Sequence, residues 1–288
     1  NLAPMGSRLA LSIEARRTQV LPRALSERDQ GAAEKALKRR LASVPANSPR
    51  YDQYLRDELI FNIGRFVGLR VVNIAELSVA KILALRLDDK GSSHSLTLPL
   101  VGKGHRLIRP SFPVPLLRQM QTYAETARER AVKRSGVRHS RELFVAHVGS
   151  RTGRPIGVRA IQGAMEELFI KAGLTKLVLS RGVGGDPIKD EANRPTYHAV
   201  AKFSVHDLRH TCAIRTYYGV YQVTRDRFQA LSRAQDQICH ADIATTEKTY
   251  AELTRRFSSW KTFCEGIDYE RDAFTDAEWD DNFVELFE

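Results

Sequence analysis

Ser204-Val205-His206-Asp207-Leu208-Arg209-His210-Thr211 is the stretch on which the reading of the fold turns. Ser204 with Asp207 three residues later has the form of a capping box, so a helix starts here. On that helix His206 and Arg209 are three apart and share a face. Downstream lies Cys239-His240-Ala241-Asp242-Ile243-Ala244-Thr245-Thr246-Glu247-Lys248-Thr249-Tyr250. Upstream lie Gly68-Leu69-Arg70 and Gly102-Lys103-Gly104.

The rest of the chain alternates helical patterns with one strand-rich segment. Ser26 reads as an N-cap with Asp29 at its third helical position, and Ala33, Ala36, Leu37 and Leu41 follow at helical spacing. Ser48-Pro49 opens a second helix whose stripe is Tyr51, Leu55, Leu59, Ile63 and Phe66. Residues 79–110 change period: Leu96, Leu98 and Leu100 alternate between turn-like Asp88-Asp89-Lys90-Gly91 and Gly102-Lys103-Gly104-His105. That predicts a small antiparallel meander with Lys103 at a hairpin tip. Helices are expected at 115–135 and 157–173, with Gly136 and Gly173 as C-caps, and again at 225–238 and 244–256. Residues 180–199 read as a polar loop. Trp279, Phe283, Leu286 and Phe287 form an apolar stripe on an acidic terminal helix.

Composition narrows the class. The chain has 288 residues, 42% apolar and 27% charged, the balance of a globular protein rather than a disordered one. No apolar run reaches the 18 residues that a membrane helix needs, so no membrane partner is expected. Three cysteines without a C-x-x-C pair, Cys212, Cys239 and Cys264, point to free thiols in a reducing cytoplasm. Net charge is +11, with a pI near 9.7. Residues 265–288 hold ten acids and one Arg, so the charge of −9 there leaves +20 on the body. A basic body is the electrostatic footprint of a nucleic-acid binder.

Taken in chain order, Arg70 after Gly-Leu, Lys103 in a hairpin, His206-x-x-Arg209, His240 and Tyr250 resemble the signature of the tyrosine recombinase (phage integrase) family. The resemblance covers roughly residues 25–257. It implies an α+β fold, a mostly helical catalytic domain with a small antiparallel β-sheet, the integrase-like DNA breaking-rejoining fold. It also implies site-specific cleavage and rejoining of DNA strands through a 3′-phosphotyrosyl intermediate, without metal or other cofactor. Arg70 and Arg209 would neutralise the phosphoryl oxygens, Tyr250 would attack, and Lys103 would protonate the leaving 5′ oxygen. His206 would act as base and His240 would hydrogen-bond the phosphate. Lys103, Arg106, Arg109, Thr245 and Thr246 are the expected DNA contacts. The implied partner is double-stranded DNA, held at two sites by a homotetramer, and the setting is a cytoplasmic, nucleoid-associated one. The expected task is integration, excision or resolution of a mobile or replicating element; no accessory protein is indicated.

Residues 1–24 correspond to the linker after the family's N-terminal DNA-clamping domain, which is expected to be absent from this sequence. Residues 258–288 read as an acidic tail that packs on its own domain or is exchanged between protomers. The sequence departs from the family in particular places. Asn73 stands where an acidic residue is usual three after the first Arg, Cys239 stands where Gly precedes the second His, and ten residues rather than nine separate His240 from Tyr250. Telomere resolvases and type IB topoisomerases share the same core chemistry, and a DNA-binding relative without catalysis fits the departures. His206 and His210 at i, i+4 faintly resemble a zinc-protease motif, but Asp207 is one methylene short of the Glu, Arg209 sits inside the motif and the ligand count is not met convincingly. His210 is therefore assigned a structural hydrogen bond.

Overall fold

A computed structural model describes residues 23–87, 94–136, 140–182, 184–239, 250 and 257–273, with the backbone alone for Lys103 and 269–273. The expected His240, Thr245, Thr246, most of the 244–256 helix and the Trp279–Phe287 stripe lie outside the described residues, as do residues 1–22 of the N-terminal arm.

Helix α1 (Glu27–Ala42) begins at the Ser26–Asp29 capping box and buries Ala33, Ala36 and Leu37. Helix α2 (Pro49–Val67) begins at Ser48, whose hydroxyl accepts from the Tyr51 amide, with Pro49 in its first turn. α2 is surrounded by other elements, so it buries more than one stripe. Ile60, Phe61 and Val67 join Leu59 and Ile63 inside, and Asp52, Arg56 and Asp57 are buried as well. Those charges are paired: Arg56 donates to Asp57 and to the Val145 carbonyl, and Asp52 accepts from Arg130.

Two short helices follow, α3 (Val71–Ala75) and α4 (Val79–Leu83). The expected meander over 79–110 is thus shorter than the sequence suggested, because Ser78 caps a helix at its start. Strand β1 (Ser95–Thr97) pairs antiparallel with β4 (Ser111–Pro113), and β2 (Leu100–Val101) with β3 (Leu107–Ile108). A 3₁₀ turn, Lys103–His105, forms the tip between β2 and β3, where Gly104 supplies φ +71°. Helices α5 (Val114–Tyr123) and α6 (Glu129–Ser135) run on through a π turn at Ala124–Arg128, ending at Gly136 in the left-handed region.

Helix α7 (Val158–Lys171) leads into β5 (Thr175–Leu179), which pairs with β6 (Tyr197–Ala201). The polar segment 180–199 is therefore not a plain loop. Its end is strand, and bridges Arg181–Pro187 and Lys189–Pro195 continue the ribbon outward. Low apolar content hid it, since the ribbon lies mostly in solvent. Helix α8 (Val205–Thr224), helix α9 (Arg227–Ile238) and helix α10 (Trp260–Ala273) complete the described chain.

The core has two clusters. One gathers α1, α2, α5 and α7 with the small sheets, around Phe61, Phe112, Phe144 and Phe169. The other gathers α8, α9, Tyr250 and α10, around Tyr218, Ala230 and Phe263. α10 packs on its own chain: Ser26 donates to Asp268 at 2.8 Å, and the Trp260 indole donates to Glu27. Among the described residues no helix is long and apolar enough to cross a membrane.

The clusters meet where α2 crosses α8. Gly64 makes that approach possible: a Cβ there would lie 2.8 Å from Leu208 Cδ1 and 3.0 Å from Leu208 Cβ. Gly64→Val is expected to destabilise the fold by about 1–3 kcal/mol through overpacking. Urea unfolding measures it; an unchanged midpoint would show that the crossing has room to spare.

Candidate DNA phosphate site

The site is built on the end of α2 and the start of α8. Gly68 ends α2 at φ +71°, and a Cβ on it would meet Cys212 at 3.1 Å and Ile238 at 3.0 Å. Both the backbone sign and the space require glycine. Leu69 is buried, and Arg70 becomes the N-cap residue of α3. Gly-Leu-Arg is thus a C-cap, an anchor and an exit that delivers the Arg70 side chain.

At α8, Asp207 accepts from the Ser204 amide and hydroxyl at 2.7 and 2.8 Å, closing the expected capping box. Thr211 donates to the Asp207 carbonyl and accepts from the Leu25 amide at 2.8 Å, which pins this turn to the start of α1. On the rigid turn stand His206, Arg209 and His210.

Arg209 is 3% exposed. Its Nη1 donates to the Gly68 carbonyl, while its Nη2 is buried with no hydrogen-bond partner among the described residues. Burial, and the Arg70 guanidinium nearby, lower its pKa to about 10. It remains a cation at neutral pH. Arg70 repels the Arg209 cation, and among the described residues Nη2 has no acceptor, two features that an anion would relieve. His206, at the exposed face, has its pKa lowered by partial desolvation and then by Arg209 and Arg70, which keeps the ring neutral and able to accept a proton.

Tyr250 is 2% exposed and sits among Cys212, Ala213 and Tyr217 in the second core cluster. Burial raises its pKa, so the phenol is protonated. Its hydroxyl lies 2.9 Å from His210 Nδ1, and the His210 ring in turn lies 4.4 Å from that of His206, edge to face. His206, His210 and Tyr250 therefore form one chain of polar rings. Sequence reasoning gave His210 a structural role only; its i, i+4 relation to His206 was the signal that placed it on the same face.

Lys103 falls at the hairpin tip, as expected, in its backbone. Arg106 and Arg109 follow on the exposed side of the same hairpin. The Arg109 backbone donates to Cys239, the left-handed C-cap of α9. That end of α9 is clamped by Gln237, whose amide reaches the carbonyls of Phe66, Val67 and Ser111 at 3.3, 3.2 and 3.0 Å. Nothing in the sequence pointed to Gln237. It locks the residue before His240 against α2 and β4.

No family model and no curated protein matches the chain. Among solved structures the chain is similar to the XerH site-specific recombinase bound to palindromic difH substrate in a post-cleavage complex, at 18% identity and TM-score 0.50, covering 82% of this chain and 51% of that one. It is similar more loosely to the XerA recombinase, at 17% identity and TM-score 0.47 over 80% of this chain and 60% of that one. An integrase from mycobacterium phage Brujita gives 18% identity and TM-score 0.40 over 88% and 59%. The chain spans about half the length of the XerH chain it matches. At such identity the likeness to XerH speaks to fold: the chain has the fold of a tyrosine recombinase catalytic domain, mostly helical with small antiparallel sheets.

If the paired guanidiniums await an anion, inorganic phosphate should raise Tm above chloride of equal ionic strength, by mass action on the folded state. Arg209→Met, which keeps the stem volume, is expected to remove that difference in a thermal melt. An equal rise in the variant would place the anion elsewhere.

Proposed function

We propose that the chain cleaves and rejoins DNA strands at specific sites through a phosphotyrosyl intermediate on Tyr250. The observation that carries this reading is the buried, unpartnered Nη2 of Arg209 beside Arg70, on the same turn as the histidine that touches Tyr250. A doubly donating fork is suited to the non-bridging oxygens of a phosphodiester as charge builds on them.

The step balances without a metal. The Tyr250 oxygen bonds to phosphorus as the bond from phosphorus to the 5′ oxygen breaks. The phenolic proton passes to an imidazole, and the 5′ oxygen takes a proton from the Lys103 ammonium. Reversal by a 5′-hydroxyl of another strand rejoins the DNA, with the phosphodiester energy kept in the intermediate. The contact at 2.9 Å in the stored position adds His210 to His206 as an acceptor for that proton. Since Tyr250 is buried, attack also requires it to leave the pocket of the second cluster.

DNA contact is assigned to Lys103, Arg106 and Arg109 on the hairpin and to Thr245 and Thr246, with His240 on the phosphate. The domain reading assigns 25–257 to catalysis and 258–288 to an acidic tail whose far end is exchanged between protomers of a homotetramer on two DNA sites. The proposed setting is cytoplasmic, on an integrating, excising or resolving element.

Covalent trapping tests the reading. Nicked duplexes from host DNA lose a short fragment on cleavage, so religation stalls and a denaturant-resistant adduct accumulates. Mass spectrometry is expected to find it on Tyr250. Tyr250→Phe should abolish the adduct while leaving DNA affinity within about twofold, because one hydroxyl among many phosphate contacts adds little to binding. Tight, salt-sensitive binding by the wild type with no adduct would point instead to a protein that binds DNA without cutting it.

His210→Ala separates two uses of its contact. As proton acceptor, its loss should slow adduct formation by about 10²-fold or more. A faster rate would mean that His210 only holds Tyr250 in store.

A further inference from the structure

We infer that Asn73 positions the Lys103 hairpin, and that it must do so as a hydrogen-bond donor. The inference rests on the cleavage reading above and adds to it a positioning residue for the leaving-group proton.

The hairpin is too small to hold itself. β2 and β3 pair over two residues each, and the outward Val101 and Leu107 are more than half exposed. A two-stranded ribbon of that length is marginal in water. Leu100 and Ile108 hold its inner face. Within the ribbon the Gly102 amide donates to the Arg106 carbonyl at 2.7 Å, closing the loop around Lys103.

Two side chains tie this ribbon to the helices before it. Asn73 Nδ2 donates to the Val101 carbonyl at 2.9 Å, and Lys81 Nζ donates to the Pro99 carbonyl at 3.1 Å. Asn73, 5% exposed, is the buried tie, and it grips the chain two residues before Lys103. A backbone carbonyl can only accept, so the contacting atom of Asn73 must be its amide nitrogen.

The placement of Asn73 gives the contact its meaning. Arg70 is the N-cap of α3, and Asn73 lies on the first turn of that five-residue helix. The Ile74 amide donates to the Arg70 carbonyl at 3.0 Å, so the turn is closed. One rigid turn therefore presents the phosphate-clamping Arg70 at one end and grips the Lys103 hairpin at the other. Asn73 sets the offset between the cation that neutralises the phosphate and the cation that protonates the leaving oxygen.

This also accounts for the departure from the resembling family. A carboxylate at position 73 would set an acceptor against the Val101 carbonyl. Asparagine is nearly the same shape and donates, so the amide is the form this hairpin needs. An acidic residue, though usual in the family, is the wrong substitution here.

The test compares two leaving groups in the 288-residue chain. Nicked duplexes are made with the ordinary 5′ oxygen or with sulfur bridging phosphorus and the 5′ carbon. A thiolate is a far weaker base than an alkoxide and departs without a proton. Asn73→Ala and Asn73→Asp are expected to slow single-turnover cleavage of the oxygen substrate by about tenfold to a hundredfold, part of the range for losing an acid. On the sulfur substrate both should cleave within about threefold of the wild type. Lys103→Ala should show the same rescue, whereas Arg209→Met should be slow on both. Equal loss on both substrates in the Asn73 variants would overturn the inference.

Lys81→Met, which alters only an exposed tie, guards against misfolding and should show the same pattern more weakly. If the wild type forms no adduct with either substrate, the cleavage reading fails. The anchoring claim is then judged by hydrogen exchange: Asn73→Ala should speed exchange of the Gly102 amide about tenfold or more, and unchanged exchange would overturn it.

Discussion

The hydrogen bond from Arg209 to the Gly68 carbonyl joins the two halves of the molecule at the place where its chemistry is proposed to occur. It exists because α2 ends in a left-handed glycine. With no Cβ, Gly68 lets Cys212 and Ile238 close in, and turns its carbonyl toward α8. Arg70 emerges two residues later, and Gln237 binds the carbonyls of Phe66 and Val67 just before. The last turn of α2 thus serves as a common abutment for α3, α8 and α9. A side chain at position 68 would push α8 and α9 away and separate the two arginines in one stroke.

The same joint is electrostatically costly. Arg209 is buried beside Arg70 with one N–H unsatisfied, and burial rather than any pairing dominates its pKa. Elsewhere the fold treats buried charge differently. Arg56 has Asp57 and a carbonyl, and Asp52 has Arg130. Arg128 shares with Arg209 a burial against carbonyls alone, but among the described residues it is Arg209 that also lies beside a second arginine, the arrangement of a site preorganised for an anion. Rigidity there comes from local hydrogen bonds and packing: the Ser204–Asp207 capping box, the Thr211 link to Leu25 and the Gly64–Leu208 approach. Tyr250, by contrast, lies protonated among apolar side chains. Arg209 pulls the phenol pKa down, but burial outweighs it and keeps the proton on.

Much of this was legible in the chain. Local signals were read correctly where local physics decides: the Ser26 and Ser204 capping boxes, Pro49 at a helix start, Gly136 at a helix end and the Lys103 hairpin tip. Reading failed where burial is set by distant neighbours. α2 buries Asp52, Arg56 and Asp57 because other elements supply partners far along the chain. Residues 180–199 passed for a loop because that part of the ribbon is polar, lies mostly in solvent and carries little alternation. Gln237 gave no signal, since an amide that binds three carbonyls looks in sequence like any surface glutamine.

By itself, the sequence determined the helix boundaries set by caps, the glycine-dependent exit before Arg70, the basic body and the order of Arg70, Lys103, His206, Arg209 and Tyr250. These depend on residue type and short spacing, which backbone sterics and local hydrogen bonds translate directly. Only the tertiary structure decided which polar groups face one another. It set His210 against Tyr250, left one N–H of Arg209 without a partner, and turned Asn73 toward the Val101 carbonyl. Those contacts join residues 40 and 28 positions apart, or leave a group alone. Such outcomes follow from how helices pack, and packing is a property of the whole chain rather than of any stretch of it.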